Sequence, residues 1–197
     1  MQIDYEYECT ISILIENQPS ILPRIVGLLT RRGFKVDSLA IGSTEYTNTS
    51  RIILILPGNL RVVDQVTRQL YKLLPVIKIQ NLTHIPAVRR ELLLIKIVST
   101  LTDRSKILEI VTFFRAKILD FAENILTIEV TGDSEKILAL EQLINKFGIL
   151  ELVRTGKIAL SRESITNAQV FTKQKNINRK KILNSYISEV ETKLYLK

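Results

Sequence analysis

Apolar and polar positions alternate through Glu8-Cys9-Thr10-Ile11-Ser12-Ile13-Leu14-Ile15, and β-branched residues dominate, so the first segment predicts a strand. A turn at Glu16-Asn17-Gln18-Pro19-Ser20 follows, and the pattern then changes period. Ile21, Leu22, Ile25, Val26, Leu28 and Leu29 form an apolar stripe at helical spacing. Ser20 is the expected N-cap, and Pro23 falls in the first turn, where backbone N–H groups have no internal partner. Arg31 and Arg32 suit the negative end of the helix, and Gly33 supplies its stop. Strands are expected at Phe34 to Ile41 and, after a polar turn, at Arg51 to Leu56, ended by Pro57-Gly58. Asn59 can cap a second helix in which Val62, Val63, Val66, Leu70, Leu73 and Leu74 share a face. Val76 to Leu82 closes the unit as a fourth strand. The order β-α-β-β-α-β is the ferredoxin-like plan.

The plan repeats. Glu91 to Thr100 predicts a strand, and Asp103 can cap a helix carrying Ile107, Leu108, Val111 and Phe114. Lys117 to Phe121 and Ile125 to Thr131 are strands around a turn. Asp133 or Ser134 caps a helix with Ile137, Leu138, Leu140, Leu143 and Ile144, Gly148 ends it, and Ile149 to Leu160 supplies the last strand or strands. The expected fold class is therefore α+β, with two tandem ferredoxin-like βαββαβ units: residues 8–84, residues 85–162, and a basic tail at 163–197. His84-Ile85-Pro86-Ala87 is the linker candidate, because Pro86 interrupts a continuing strand.

Composition and charge add mainly exclusions. Apolar residues make up 46% of the 197, enough for a core. No apolar run approaches the roughly 20 residues that span a bilayer, so no membrane partner is expected. The acidic, polar start carries neither a secretory nor a transit pattern, which points to a protein that works where it is made. Of the net charge of +8, half lies in the tail, where seven basic residues face three acidic ones. The tail spacing of Ile182, Leu183, Tyr186, Ile187 and Val190 permits a short amphipathic helix, against the plainer reading of a solvated extension.

Cys9 is the only cysteine and His84 the only histidine. Together they cannot supply the four ligands of a Cys/His zinc site, so no metal site is expected. A nucleophilic triad would have to use His84, which falls in the expected linker. The seven glycines form no phosphate-cradling loop, and no paired carboxylates stand out. No catalytic residue is assigned. The place with binding chemistry is the junction after the first strand, where a helix N-terminus offers unpaired N–H groups and partial positive charge beside the Asn17 amide. That combination suits a free amino acid, although Asn and Ser at such junctions commonly serve only as caps.

Several segments resemble, in order, the small subunit of acetolactate synthase (acetohydroxyacid synthase), which opens with an ACT domain. They are Leu14-Ile15-Glu16-Asn17, Leu22 through Phe34, Asp37-Ser38-Leu39, Ser50-Arg51-Ile52, Gln69 through Leu73, Arg90 through Lys96, and Arg154 through Arg162. The resemblance covers roughly residues 8 to 162. It implies a non-catalytic regulatory subunit that activates a large catalytic subunit in branched-chain amino acid biosynthesis. It also implies a homodimer through ACT domains and an effector, valine or a relative, held between protomers. Thiamine diphosphate, magnesium and FAD would belong to the large subunit, with no cofactor on this chain. The effector-binding positions carried over are Asn17, Ser20, Ile21, Leu22, Lys35 and Val36. Two of them depart from the family's pattern: Ser20 stands where the family has Gly, and Lys35 where it has Asn. Ser20 adds a side chain where a ligand approaches, and Lys35 replaces an amide by a cation that lacks an acceptor. The expectation is altered or lost valine feedback with activation retained. Two rival readings are a stand-alone ACT-type sensor with another partner and a ferredoxin-like RNA-binding module. The second needs exposed aromatics on central strands, and Arg51 to Leu56 and Ile125 to Thr131 contain none. The absence of a transit pattern and the Ile, Lys and Asn bias favour the plastid stroma, as a plastid-encoded protein, over a bacterial cytoplasm.

Overall fold

The computed structural model describes residues 7–162. The basic tail and its anticipated helix lie outside the described residues. The first unit runs β1 (Tyr7–Glu16), α1 (Ile21–Arg31), β2 (Ser38–Ser43), β3 (Thr49–Gly58), α2 (Leu60–Leu70) and β4 (Val76–Asn81). The second runs β5 (Ala87–Val98), α3 (Arg104–Phe113), β6 (Lys117–Phe121), β7 (Ile125–Gly132), α4 (Ser134–Ile144), a single 3-10 turn at Asn145–Phe147, β8 (Ile149–Arg154) and β9 (Ile158–Ser161). The sheet orders are β2-β3-β1-β4 and β6-β7-β5-β8, and every pairing is antiparallel. The two units thus share one plan, down to an irregularity in register at Leu14/Ile15 in β1 and at Lys96/Ile97 in β5.

Alternation along the strands explains the packing. Ile11, Ile13 and Ile15 of β1, with Ile52, Leu54 and Leu56 of β3, face the helices and meet Ile21, Ile25, Leu29, Val63, Val66 and Leu70. In the second unit Leu93, Ile95 and Ile97 of β5 and Leu126, Ile128 and Val130 of β7 meet Ile107, Val111, Ile137, Leu140 and Ile144. Each such side chain contributes roughly 1.5–3 kcal/mol on burial, so these two layers dominate stability.

The helix ends show which local signals act. After α1, Gly33 takes φ +69°. Its N–H reaches the Thr30 carbonyl at 3.0 Å, and the Phe34 N–H reaches the Leu29 carbonyl at 3.0 Å, a Schellman closure with Phe34 against the core. Asn59 accepts from the Val62 N–H at 3.2 Å and Asp133 from the Lys136 N–H at 3.0 Å, as expected of N-caps. Ser20 and Asp103 occupy the cap positions of α1 and α3 but form no side-chain cap bond. Asp103 instead accepts from the Thr100 hydroxyl at 2.7 Å and faces Lys106 at 3.7 Å.

Three boundaries differ from expectation. The second strand begins at Ser38, not Phe34, because the Schellman closure occupies Gly33 and Phe34 and pairing with β3 starts only where the Asp37 N–H meets the Ile55 carbonyl at 3.0 Å. Leu74 is not on the buried face of α2: the helix ends at Leu70, and Leu74 is 99% exposed. The fifth strand starts at Ala87, since Ala87 to Arg90 pair with Ser161 to Ile158 of β9.

That β5–β9 ribbon ties the two units together. It lies against the face of the first sheet that the helices leave open, where Ile53, Ile55, Leu82 and Ala159 form a small core of their own. Arg89 donates to the carbonyls of Leu82 at 2.6 Å and Thr83 at 3.2 Å. Lys157 pairs with Glu8, and Gly156, at φ +81°, lies directly against Ser38.

Candidate functional site

The junction between β1 and α1 is built from backbone contacts. The Glu16 N–H donates to the Pro75 carbonyl and the Asn17 N–H to the Asn48 carbonyl, both at 2.9 Å. Asn48 presents that carbonyl from a left-handed conformation (φ 64°), which Asn tolerates better than most residues. The Ile21 N–H donates to the Gln18 carbonyl at 3.0 Å, and the Arg24 N–H to the Ser20 carbonyl at 3.3 Å. Pro23 has no N–H. Among the described residues, the N–H groups of Ser20 and Leu22 therefore have no partner. No acidic side chain stands in the first turn of α1 to neutralise its positive end. Asn17 and Ser20 are exposed beside it. Two free donors, a helix terminus and a side-chain amide can hold a carboxylate.

The six expected site residues do not converge within one chain. Asn17, Ser20, Ile21 and Leu22 stand at the N-terminal end of α1. Ile21 is only 4% exposed and packs in the core, and Leu22 packs partly against it. Lys35 and Val36 lie past the other end of the helix. Eleven helical residues rise by roughly 16 Å, which no small amino acid bridges. Lys35 is exposed and meets Asp37 at 3.6 Å, and Val36 is 38% exposed.

The second unit has a counterpart to this junction, which differs at its first residue. The Val98 N–H donates to the Gly148 carbonyl at 3.0 Å and the Ser99 N–H to the Asn124 carbonyl at 2.9 Å, matching Glu16 and Asn17. Ser99, the counterpart of Asn17, is fully buried (0% exposed), and its hydroxyl is unpartnered. The first unit thus presents an exposed amide where the second buries a hydroxyl.

The other candidates are plain. Cys9 is buried, and burial pushes its thiol up, with the Thr83 hydroxyl pulling it down and Glu8 adding to the rise. His84 packs against Tyr7, with ring centroids 5.2 Å apart and the rings tilted by 59°. No group of three or more His, Cys, Asp or Glu among the described residues could hold a metal ion. No helix among them is long and apolar enough to cross a membrane. Sequence reasoning quotes the segments that hold Ser38, Gly156 and Lys157 for their resemblance alone and misses that they form a contact between units. The local signal for that contact is the glycine in a short polar turn.

Two family descriptions match this chain. The ACT domain of the acetohydroxyacid synthase small subunit covers residues 11–78, and the small subunit of acetolactate synthase covers residues 90–163. The probable acetolactate synthase small subunit of Methanothermobacter thermautotrophicus is 44% identical over 157 residues, which is 79% of this chain and 94% of that protein. The acetolactate synthase small subunit of Mycobacterium leprae is 40% identical over 153 residues, 78% of this chain and 90% of its own length. The chloroplastic acetolactate synthase small subunit 2 of Arabidopsis thaliana is 43% identical over 155 residues; the match takes in 79% of this chain but only 32% of that longer protein. The crystal structure of the acetolactate synthase small subunit from Thermotoga maritima superposes with a TM-score of 0.74 at 31% identity, covering 81% of this chain and 99% of that one. Matching sequence, matching length and a matching tandem fold lead to one conclusion: the chain belongs to the acetolactate synthase small-subunit family.

Proposed function

We propose that this chain is the non-catalytic regulatory subunit of an acetolactate synthase. It binds a large catalytic subunit, raises its rate, and acts in branched-chain amino acid biosynthesis. The family assignment carries this reading. Thiamine diphosphate, magnesium and FAD would reside on the large subunit. Residues 8–84 serve as the ACT unit and 85–162 as its partner unit.

The separation of the site halves supports a homodimer as the sensing form. β2 is an edge strand, with one side unpaired, and Ile41 on it is 48% exposed. Antiparallel pairing of β2 with β2 of a second copy would extend the sheet. Ser43 lies at the Asn17 end of the sheet, since it pairs with Ser50, which pairs with Ile15. Ser38 lies at the other end. Antiparallel pairing therefore carries Lys35 and Val36 of one copy to the Asn17–Ser20 junction of the other. A valine-class effector would then meet free N–H donors from one copy and Lys35 from its partner. Ser20 crowds that approach and Lys35 disfavours the ligand's ammonium group, so feedback is weak while activation persists.

The outer face of the first sheet is partly covered by the β5–β9 ribbon, and its central strand β3 bears no aromatic, which disfavours nucleic acid as a partner. The chloroplastic relative supports a plastid setting. The deciding experiment is co-purification with an acetolactate synthase large subunit, then rates with and without this chain and with and without valine. Stimulation with little inhibition is expected, and the double change Ser20→Gly, Lys35→Asn should strengthen inhibition. No association and no stimulation would overturn the reading and leave a stand-alone amino acid sensor.

A further inference from the structure

A second candidate site lies at the same end of the first sheet as that junction but on its opposite face. β3 is apolar from Ile52 to Leu56, but its outer face begins with a charge, Arg51. Arg51 is half-buried. Its guanidinium makes one hydrogen bond, to the buried Ser12 hydroxyl at 3.3 Å, and no ion pair among the described residues. A guanidinium carries five N–H donors, so most of this fork is unspent in a partly desolvated place.

The surroundings leave room for a ligand. Arg51 pairs across the sheet with Gly42 of β2, which has no side chain to cover it. A cleft of about 240 Å³ opens there, lined by Ser43, Glu45 and Ile53 and, from β9, by Ile158 and Ala159; Glu45 makes an interaction of its own. An unspent bidentate cation beside a short apolar wall is the complement of a carboxylate on a small aliphatic tail.

We propose that this cleft binds a small aliphatic carboxylate, anchored on Arg51 and covered by β9. Such a ligand would touch both the first sheet and the ribbon from the second unit, and so would stiffen the contact between them. The residues that line this site all belong to one copy of the chain.

The test uses the full chain, calorimetry, and backbone amide spectra. The probes are isobutyrate, valine, 3-methyl-2-oxobutanoate and uncharged isobutyramide. At least one carboxylate should bind and shift the Gly42, Ile53 and Ala159 signals, while isobutyramide should not. The strongest of the three identifies whether the natural ligand carries an ammonium, an oxo group or neither. Arg51→Gln should weaken binding about tenfold or more, the worth of one charge-assisted contact. Gly42→Leu is the second variant. A Cβ at Gly42 meets nothing within 4 Å, so the fold is kept while the cleft is filled, and binding should be lost. Lys35→Asn should leave binding unchanged. Equal binding of isobutyramide, unchanged binding in Arg51→Gln, or no shift at these three residues would overturn the proposal. If binding depends on Lys35 instead, the junction is the only site and the regulatory reading stands without this one.

Discussion

Replacing Gly156 by alanine tests how much the contact between the two units matters. Gly156 has φ +81°, and a Cβ there would overlap the Ser38 hydroxyl. An L-residue held in left-handed backbone costs about 1–2 kcal/mol. Pushing Ser38 off its rotamer adds about 0.5–1.5 kcal/mol. The stiffer unfolded chain returns about 0.4–1 kcal/mol. The net loss for Gly156→Ala should be about 2 kcal/mol. The same change in a Ser38→Ala background should cost less, by the overlap share, because the nearest remaining atom, the Ser38 Cβ, stays 3.7 Å away. Urea unfolding of the four proteins gives the cycle, with the slope against denaturant checking that the unfolded states match. A loss below about 0.5 kcal/mol, or an identical loss in both backgrounds, would refute the argument that this turn presses on β2.

Two other outcomes follow from local geometry. Asn59→Ala and Asp133→Ala should each cost about 1 kcal/mol in unfolding free energy, because each removes a cap bond, whereas Ser20→Ala should stay within about 0.5 kcal/mol because Ser20 makes none. Cys9, with its thiol pushed above the ordinary value of 9.0, favours the protonated form when folded, so its contribution to stability is complete below that value and is lost as pH rises past it; alkylation of the native chain near neutral pH should be much slower than after unfolding, and equal rates would contradict its burial.

Sequence periodicity carried the repeat because both cores are set by local alternation: Ile11, Ile13 and Ile15 in β1, and Leu93, Ile95 and Ile97 in β5, are readable without knowing their partners. The Gly33 stop and the Asn59 and Asp133 caps were readable for the same reason. What was not readable depends on distant pairing. Ala87-Val88-Arg89-Arg90 looks like a polar connection, and only β9, some seventy residues later, makes it a strand. Ser20 and Asp103 have the right residue types for caps, yet in neither does the side chain bond its helix. Leu74 fits the apolar period of α2, but the helix has already ended.

The effector positions are the sharpest case. Only the family resemblance, not the local pattern, implies an effector held between protomers; the motif itself places Asn17, Ser20, Lys35 and Val36 close in sequence. A helix stands between them, and its length alone keeps the two halves apart within one chain. A pocket made from both therefore requires two chains, and any effector it holds stabilises the pairing of copies as well as its own site. The second half of that pocket runs directly into Ser38, where Gly156 presses. Movement of Lys35 and Val36 toward a ligand would act on the first residue of β2, and through it on the turn that joins β8 to β9. A perturbation at Lys35 or Val36 thus has a short mechanical route into the second unit: Val36, Asp37, Ser38, Gly156. The same turn carries Lys157, whose partner Glu8 lies on β1 beside the sheet's start, so the route has two footholds on the first unit rather than one.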